Sequence, residues 1–172
     1  MLPLAYEKKL KRQGYKLIAG VDEVGRGPLA GPLVAASVIL PSDVNFPGLN
    51  DSKLLTASQR ERLFALIKDC AVAIGIARVG HKVIDRIGVG VANYLAMKLA
   101  VENLGLVPDY LLIDGGRHKV DLPIPQVGIT RGDRKIASIA AASIIAKVTR
   151  DKLMVKYHAK YPDYCFSAGL FR

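Results

Sequence analysis

This 172-residue sequence is poor in the residues that build metal knuckles and disulfide frameworks, with 2 Cys and 3 His. Cys70 and Cys165 lie too far apart along the chain for a zinc motif, and two cysteines make no disulfide framework. They read as reduced thiols of a cytosolic protein. His81, His118 and His158 show no metal-ligand spacing. Long apolar runs are missing too. Ile136 to Ala146 is too short to span a bilayer, and Glu7, Lys8 and Lys9 come before any apolar stretch of signal-peptide length. A cytoplasmic location is expected, with no membrane contact. No internal repeat and no Ser/Gly-rich linker divides the chain, so one domain over residues 1–172 is expected. Acidic residues are scarce, 15 against 25 Lys+Arg, leaving a formal net charge of +10. That excess suits a polyanionic partner, nucleic acid first, and exceeds what a small phosphorylated substrate needs.

What is present is concentrated in Gly20 to Pro32, GVDEVGRGPLAGP. Two adjacent carboxylates, Asp22 and Glu23, end an apolar run, and Gly25-Arg26-Gly27 follows at once. Carboxylates at the end of a buried strand are costly unless their charge is compensated. A hard divalent cation compensates it, because Mg²⁺ and Mn²⁺ prefer carboxylate oxygens. The glycine turn brings backbone N–H groups and one guanidinium within reach of a phosphate or sugar.

Hydrophobic periodicity predicts a basic helical leader over 6–13 and strands over 16–23 and 33–40, joined by a hairpin-like loop at Pro28, Gly31 and Pro32. A helix over 58–68 and a strand over 71–78 come next. Residues 82–104 read as helical, interrupted around Gly88 and Gly90. Short strands over 110–113 and 126–129 precede a long helix over 135–158. Its small residues Ala137, Ala140, Ala141 and Ser143 suit close packing on a sheet. The order predicts an α/β fold with a mixed sheet flanked by helices, whose working residues gather at strand ends.

Three segments then share a feature: Asp22-Glu23, Asp114 and Asp133 all stand at such ends. Each has another reading. Asp22 or Glu23 alone fits a solvated strand end. Asp114-Gly115 is a turn signal, and Asp133 is placed to cap the long helix. Neighbouring strand residues point to opposite faces, so Asp22 and Glu23 share one site only if the strand frays or bulges. Asp151, beside Arg150, reads as a surface ion-pair partner. Together, converging carboxylates point to two divalent ions about 4 Å apart, clamping the oxygens of an in-line displacement.

Five segments resemble bacterial ribonuclease HII, the type 2 ribonuclease H, in the family's order and spacing. They are Gly20 to Pro28, Asn50-Asp-Ser-Lys53, Leu112-Ile-Asp-Gly115, Gly132-Asp133 and Ala141 to Asp151. The resemblance implies a ribonuclease H-like mixed five-stranded sheet. It implies an endonuclease that cuts the RNA strand of RNA–DNA hybrids and nicks at ribonucleotides embedded in duplex DNA. A monomer is expected. Two Mn²⁺ or Mg²⁺ ions would serve the hydrolysis, leaving 5′-phosphate and 3′-hydroxyl. By the same resemblance, Asp22, Glu23, Asp114 and Asp133 are the catalytic and metal-binding carboxylates. Gly25, Arg26 and Gly27 read the ribose 2′-hydroxyl, and Lys53, Ser143 and Lys147 belong to the substrate side.

Three departures accompany it. Leu54 stands where the family has a second lysine, and Gly88 where it has asparagine. After Tyr164 the chain reads Cys165 to Arg172 in place of a histidine-lysine-glycine-tyrosine segment and further helix. The ending therefore resembles a truncation or a frame-shifted tail. The alternative expectation is a catalytically weak or inactive homologue that only binds nucleic acid.

Overall fold

The computed structural model describes residues 4–44, 46–49, 52–116 and 119–166. Asn50, Asp51, His118 and the departure at 167–172 lie outside these residues. In chain order the elements are α1 (Ala5–Arg12), β1 (Ile18–Val24), β2 (Leu33–Ile39), α2 (Ala57–Cys70), β3 (Ala73–Val79), α3 (His81–Glu102), β4 (Tyr110–Asp114), β5 (Gln126–Ile129) and α4 (Ala137–Lys160). The strands form one five-stranded sheet in the order β3-β2-β1-β4-β5. Strands β1, β2 and β3 pair antiparallel, while β4 runs parallel to both β1 and β5. The mixed, helix-flanked sheet expected from the sequence is the fold observed.

Strand alternation divides the core between two faces. Leu33, Ala35 and Ile39 of β2 pack with Ala92, Ala96, Met97 and Ala100 of α3. Val34, Ala36 and Val38 face the other way, against Leu63 and Ile67 of α2 and the small residues of α4. On β1, Ala19 and Val21 face α3. Ile18 faces the α4 side, where it packs with Leu10 of α1, Leu112 and Ile139.

Helix α4 lies close on β1 because Gly20 has no side chain. A Cβ there would stand 2.2 Å from the Ser138 carbonyl carbon and 2.4 Å from the Ile139 nitrogen. The N-terminus of α4 is also fixed from outside the sheet. Buried Glu7 of α1 accepts from Ser138 N at 3.0 Å and Ser138 Oγ at 2.9 Å, placing a carboxylate at the positive end of the helix. At the other end of β1, the Asp109 carboxylate accepts from Leu17 N and Lys16 N, each at 2.8 Å. These two bonds hold its pKa below the usual carboxylate range.

Two predicted boundaries shift for local reasons. Helix α2 starts at Ala57 because Thr56 and Gln59 form a reciprocal capping box. Helix α3 is broken at Gly88 (φ 79°, ψ 154°), whereas Gly90 is helical. Glycine takes that φ without a Cβ penalty.

The contact at Gly20 makes a prediction about stability. A methyl there meets backbone that cannot rotate away, so Gly20→Ala should cost at or above the roughly 3 kcal/mol upper end of ordinary overpacking. Denaturant unfolding checks it, and a loss below about 1 kcal/mol would mean that α4 slides easily on β1.

Candidate active site

Strand β1 pairs with β2 without a break from Ala19 to Val24. Its pairing with β4 stops earlier, at Val21 and Ile113. The sheet therefore opens between β1 and β4 just where Asp22 and Asp114 stand. No bulge is needed. The expected bulge or fray is replaced by a regular strand that loses one neighbour. Alternation turns Asp22 and Asp114 toward the α4 side, as it does Ile18 and Leu112. Glu23 follows Asp22 at the open end and still borders the same space.

That space is a cavity of about 390 Å³. All ten residues singled out in the sequence line it: Asp22, Glu23, Asp114, Asp133, Gly25, Arg26, Gly27, Lys53, Ser143 and Lys147. Ser52 lines it as well. Asp133 lies in a short 3₁₀ turn, Gly132–Arg134, and is buried. It does not cap α4, whose N-cap position is Ile136 and has no side-chain cap.

Hydrogen bonds orient the carboxylates. Asp22 Oδ1 accepts from Glu23 N at 2.8 Å, and Asp114 Oδ1 accepts from Gly132 N at 2.6 Å. The Ser143 hydroxyl bonds to the Asp22 side chain. Ser143 Oγ in turn lies 2.9 Å from Ser52 Oγ, with both serines buried. Burial, then the nearby charges of Glu23 and Asp114, push the Asp22 carboxyl well above the usual carboxylate range. The bonds from Ser143 and Glu23 N offset only part of this.

Among the described residues, no group of three or more His, Cys, Asp or Glu side chains is close enough to hold an ion by itself. The donor chemistry nonetheless fits a hard divalent cation, which commonly takes one or two carboxylates and fills its shell with water and substrate oxygens. The Asp22 shift marks a place where positive charge is wanted.

The glycine turn is held from behind by Arg150, which sequence reasoning treated only as a neighbour of Asp151. Arg150 is fully buried. Its Nε donates to Pro32 O at 3.1 Å and its Nη2 to Ala30 O at 2.9 Å. Burial lowers its pKa from the ordinary guanidinium value. Gly25 (φ 108°) packs against this clamp: a Cβ would lie 2.7 Å from Pro32 O and 2.9 Å from Arg150 Nε. Gly27 differs, since a Cβ there would meet nothing within 4 Å. Arg26 stays largely exposed, 3.5 Å from Glu23 Oε1. Asp151 pairs with Lys147 at 2.7 Å and Arg60 at 3.9 Å, outside the cavity lining. Its ion-pair reading thus holds, with other partners. The available signal for Arg150 was a charged residue within the apolar face of a long helix.

The raised pKa of Asp22 sets a pH dependence. Folding favours its protonated form, so its contribution to stability is intact below the unfolded value and is lost as pH rises through the folded one. At neutral pH without metal, folding must either bury this charge or take up a proton, so the group destabilises the fold. Asp22→Asn should raise the metal-free melting temperature at pH 7, and the gap should close toward about pH 4. Divalent metal should raise the melting temperature of the unsubstituted chain more than that of the variant. A variant that melts lower at pH 7 would contradict this account of the site.

Comparison with known proteins bears on the same residues. The Ribonuclease HII family model matches residues 19–170. Ribonuclease HII of Geobacter sulfurreducens is 55% identical over 162 residues, covering 94% of this chain and 74% of that protein. Ribonuclease HII of Acetivibrio thermocellus is 57% identical over 162 residues, covering 94% of this chain and 63% of that protein. The chain thus spans less than two thirds of the second relative's length. In three dimensions it is similar to the crystal structure of ribonuclease H2 from Pyrococcus horikoshii OT3, with TM-score 0.75 and 30% identity over 85% of this chain and 77% of that one. With the matched region running from the first carboxylate strand through the whole of α4, the chain belongs to the ribonuclease HII family.

Proposed function

We propose that the chain is a divalent-metal-dependent endoribonuclease that cuts the RNA strand of RNA–DNA hybrids and nicks at ribonucleotides embedded in duplex DNA. One observation carries this reading. A single cavity gathers four carboxylates, the Gly25–Gly27 turn and two lysines. Family membership and the +10 charge support it.

Asp22, Glu23, Asp114 and Asp133 form an all-oxygen donor set suited to Mg²⁺ or Mn²⁺. Two such ions, when bound, supply activation of a water and stabilisation of the departing 3′-oxygen, leaving a 5′-phosphate. The protein's own groups do the rest. Ser143 and the Glu23 and Gly132 amides keep Asp22 and Asp114 aimed into the cavity. Lys53 and Lys147 offer positive charge to the phosphates. The turn at Gly25–Gly27 presents bare backbone to the sugar, and the 2′-hydroxyl is the local feature that separates RNA from DNA.

The test is a cleavage assay with Mg²⁺ or Mn²⁺ on a continuous hybrid, on duplex DNA holding one ribonucleotide, and on an all-DNA control. Cuts at ribonucleotides and none in the control are expected. Binding to both substrates with cleavage of neither would overturn the enzyme reading in favour of a nucleic-acid-binding protein.

Two substitutions sharpen it. Gly27→Ala adds a methyl that touches no protein atom, so melting should change by no more than the roughly 0.5 kcal/mol of a neutral surface change. Cleavage should fall on the order of 10²-fold, as for a misplacement near 1 Å. Equal losses in stability and cleavage would point to a folding defect. Asp114→Asn keeps an oxygen for Gly132 N and should fold. Its metal-dependent cleavage should drop by about 10²-fold or more, and near-normal rates would remove Asp114 from the mechanism.

A further inference from the structure

One face of α4 carries Ser143, Lys147 and Asp151 at four-residue spacing, which stacks them along the helix. Ser143 reaches Asp22 inside the cavity. Lys147 lines its wall, and Asp151 lies beyond it. Lys147 Nζ donates to Asp151 Oδ1 at 2.7 Å. The other oxygen, Asp151 Oδ2, stands 3.9 Å from Arg60 Nη2. Arg60 also grips the turn that carries Lys53: its Nη1 donates to Ser52 O at 3.0 Å and to Leu55 O at 2.5 Å. Those two carbonyls bracket Lys53. On the far side of the same turn, Ser52 Oγ meets Ser143 Oγ. The chain of contacts from the Lys53 turn through Arg60 and Asp151 to Lys147 is partly shielded, with side chains 13–23% exposed.

We propose that Arg60 and Asp151 are positioning residues that set where Lys53 and Lys147 meet the phosphates of a nucleic-acid duplex. The proposal rests on the reading of the cavity given above. On charge alone, a carboxylate on a phosphate-facing lysine is a liability, because it cancels charge that a polyanion needs. Its benefit is geometric. A free lysine side chain holds rotamer entropy that binding must remove. Holding Lys147 in place on Asp151 beforehand lowers that cost. Arg60 does the same for Lys53 through the backbone, since its Nη1 bonds a carbonyl on each side of Lys53 while its Nη2 faces Asp151.

Two variants separate position from charge. Arg60→Lys keeps the charge and loses the fork. Asp151→Asn adds one unit of positive charge. Electrostatics alone leaves hybrid binding by the first unchanged and tightens it for the second. Positioning weakens both by about tenfold, within the coupling range of residues in one ion-pair network. The double variant should then be no worse than the poorer single one, and Asp151→Glu should restore binding. Hybrid affinity is read on the full chain in metal-free buffer, with melting temperatures showing that each variant is folded.

Unchanged binding by Arg60→Lys together with equal or tighter binding by Asp151→Asn would overturn the proposal. So would losses that simply add in the double variant. Lys53→Ala and Lys147→Ala are measured alongside. If these weaken binding while the positioning variants do not, the network proposal alone fails. If the lysine variants bind normally, the reading of the cavity's lysines fails with it.

Discussion

Burial of the Asp22 carboxylate beside the charges of Glu23 and Asp114 is the constraint around which this molecule is arranged. The corner exists because β1 outruns its pairing with β4 while staying paired with β2. A parallel neighbour on one side and an antiparallel one on the other let the sheet split at a strand end without fraying the strand. Polar groups then converge on the split from the Glu23 amide, the Gly132 amide and the Ser143 hydroxyl. They orient the charges without neutralising them, and the Asp22 pKa stays raised despite them. The metal-free fold thus carries a local electrostatic cost that a cation bound there would relieve, which would couple binding to stability.

The frame around this corner is built to resist relaxation. If α4 were free to move off β1, Asp22 would lose part of the cover that desolvates it, and the Ser143 hydroxyl with it. Gly20 removes the spacing that a side chain would impose, and Glu7 fixes the start of the helix. Farther along, Arg150 ties the same helix to the loop after β1. A buried guanidinium is a costly tie unless its donors find partners. Here two carbonyls serve, and they belong to the loop that bears the glycine turn.

Much of this was legible in the residues. Apolar runs bounded by turn residues, together with helical spacing, located the five strands and four α-helices of the described residues to within a few residues, and β5 was placed at its observed bounds, Gln126–Ile129. The four carboxylates and the Gly25–Gly27 turn drew attention by residue type, acids at strand ends and glycines around an arginine, whereas Lys53, Ser143 and Lys147 were singled out only through the family resemblance; all ten line one cavity. What was hidden depends on distant partners. Asp133 has the local look of a helix cap, and only the intervening 3₁₀ turn moves it into the cavity. The apparent need for a bulge at Asp22-Glu23 came from considering one strand alone, without its unequal neighbours. Arg150 showed only as a charge on an apolar helix face, because the carbonyls it binds lie 118 and 120 positions away, and the role of Arg60 depends on Asp151 of a distant helix.

The tie between Arg150 and Pro32 spans 118 positions of sequence, and that between Glu7 and Ser138 spans 131. Contacts this far apart form late, because a long loop must close before they stabilise anything. On the ribosome, the strands bearing Asp22, Glu23 and Asp114 emerge well before the helix that covers them. Until α4 arrives, the acidic corner is open to water and its charges cost little. The order of synthesis therefore postpones the most unfavourable electrostatic step until the tightest packing is ready to hold it. A nascent chain lacking α4 would present one apolar face of the sheet to solvent, making this helix the element whose delay most exposes the chain to aggregation.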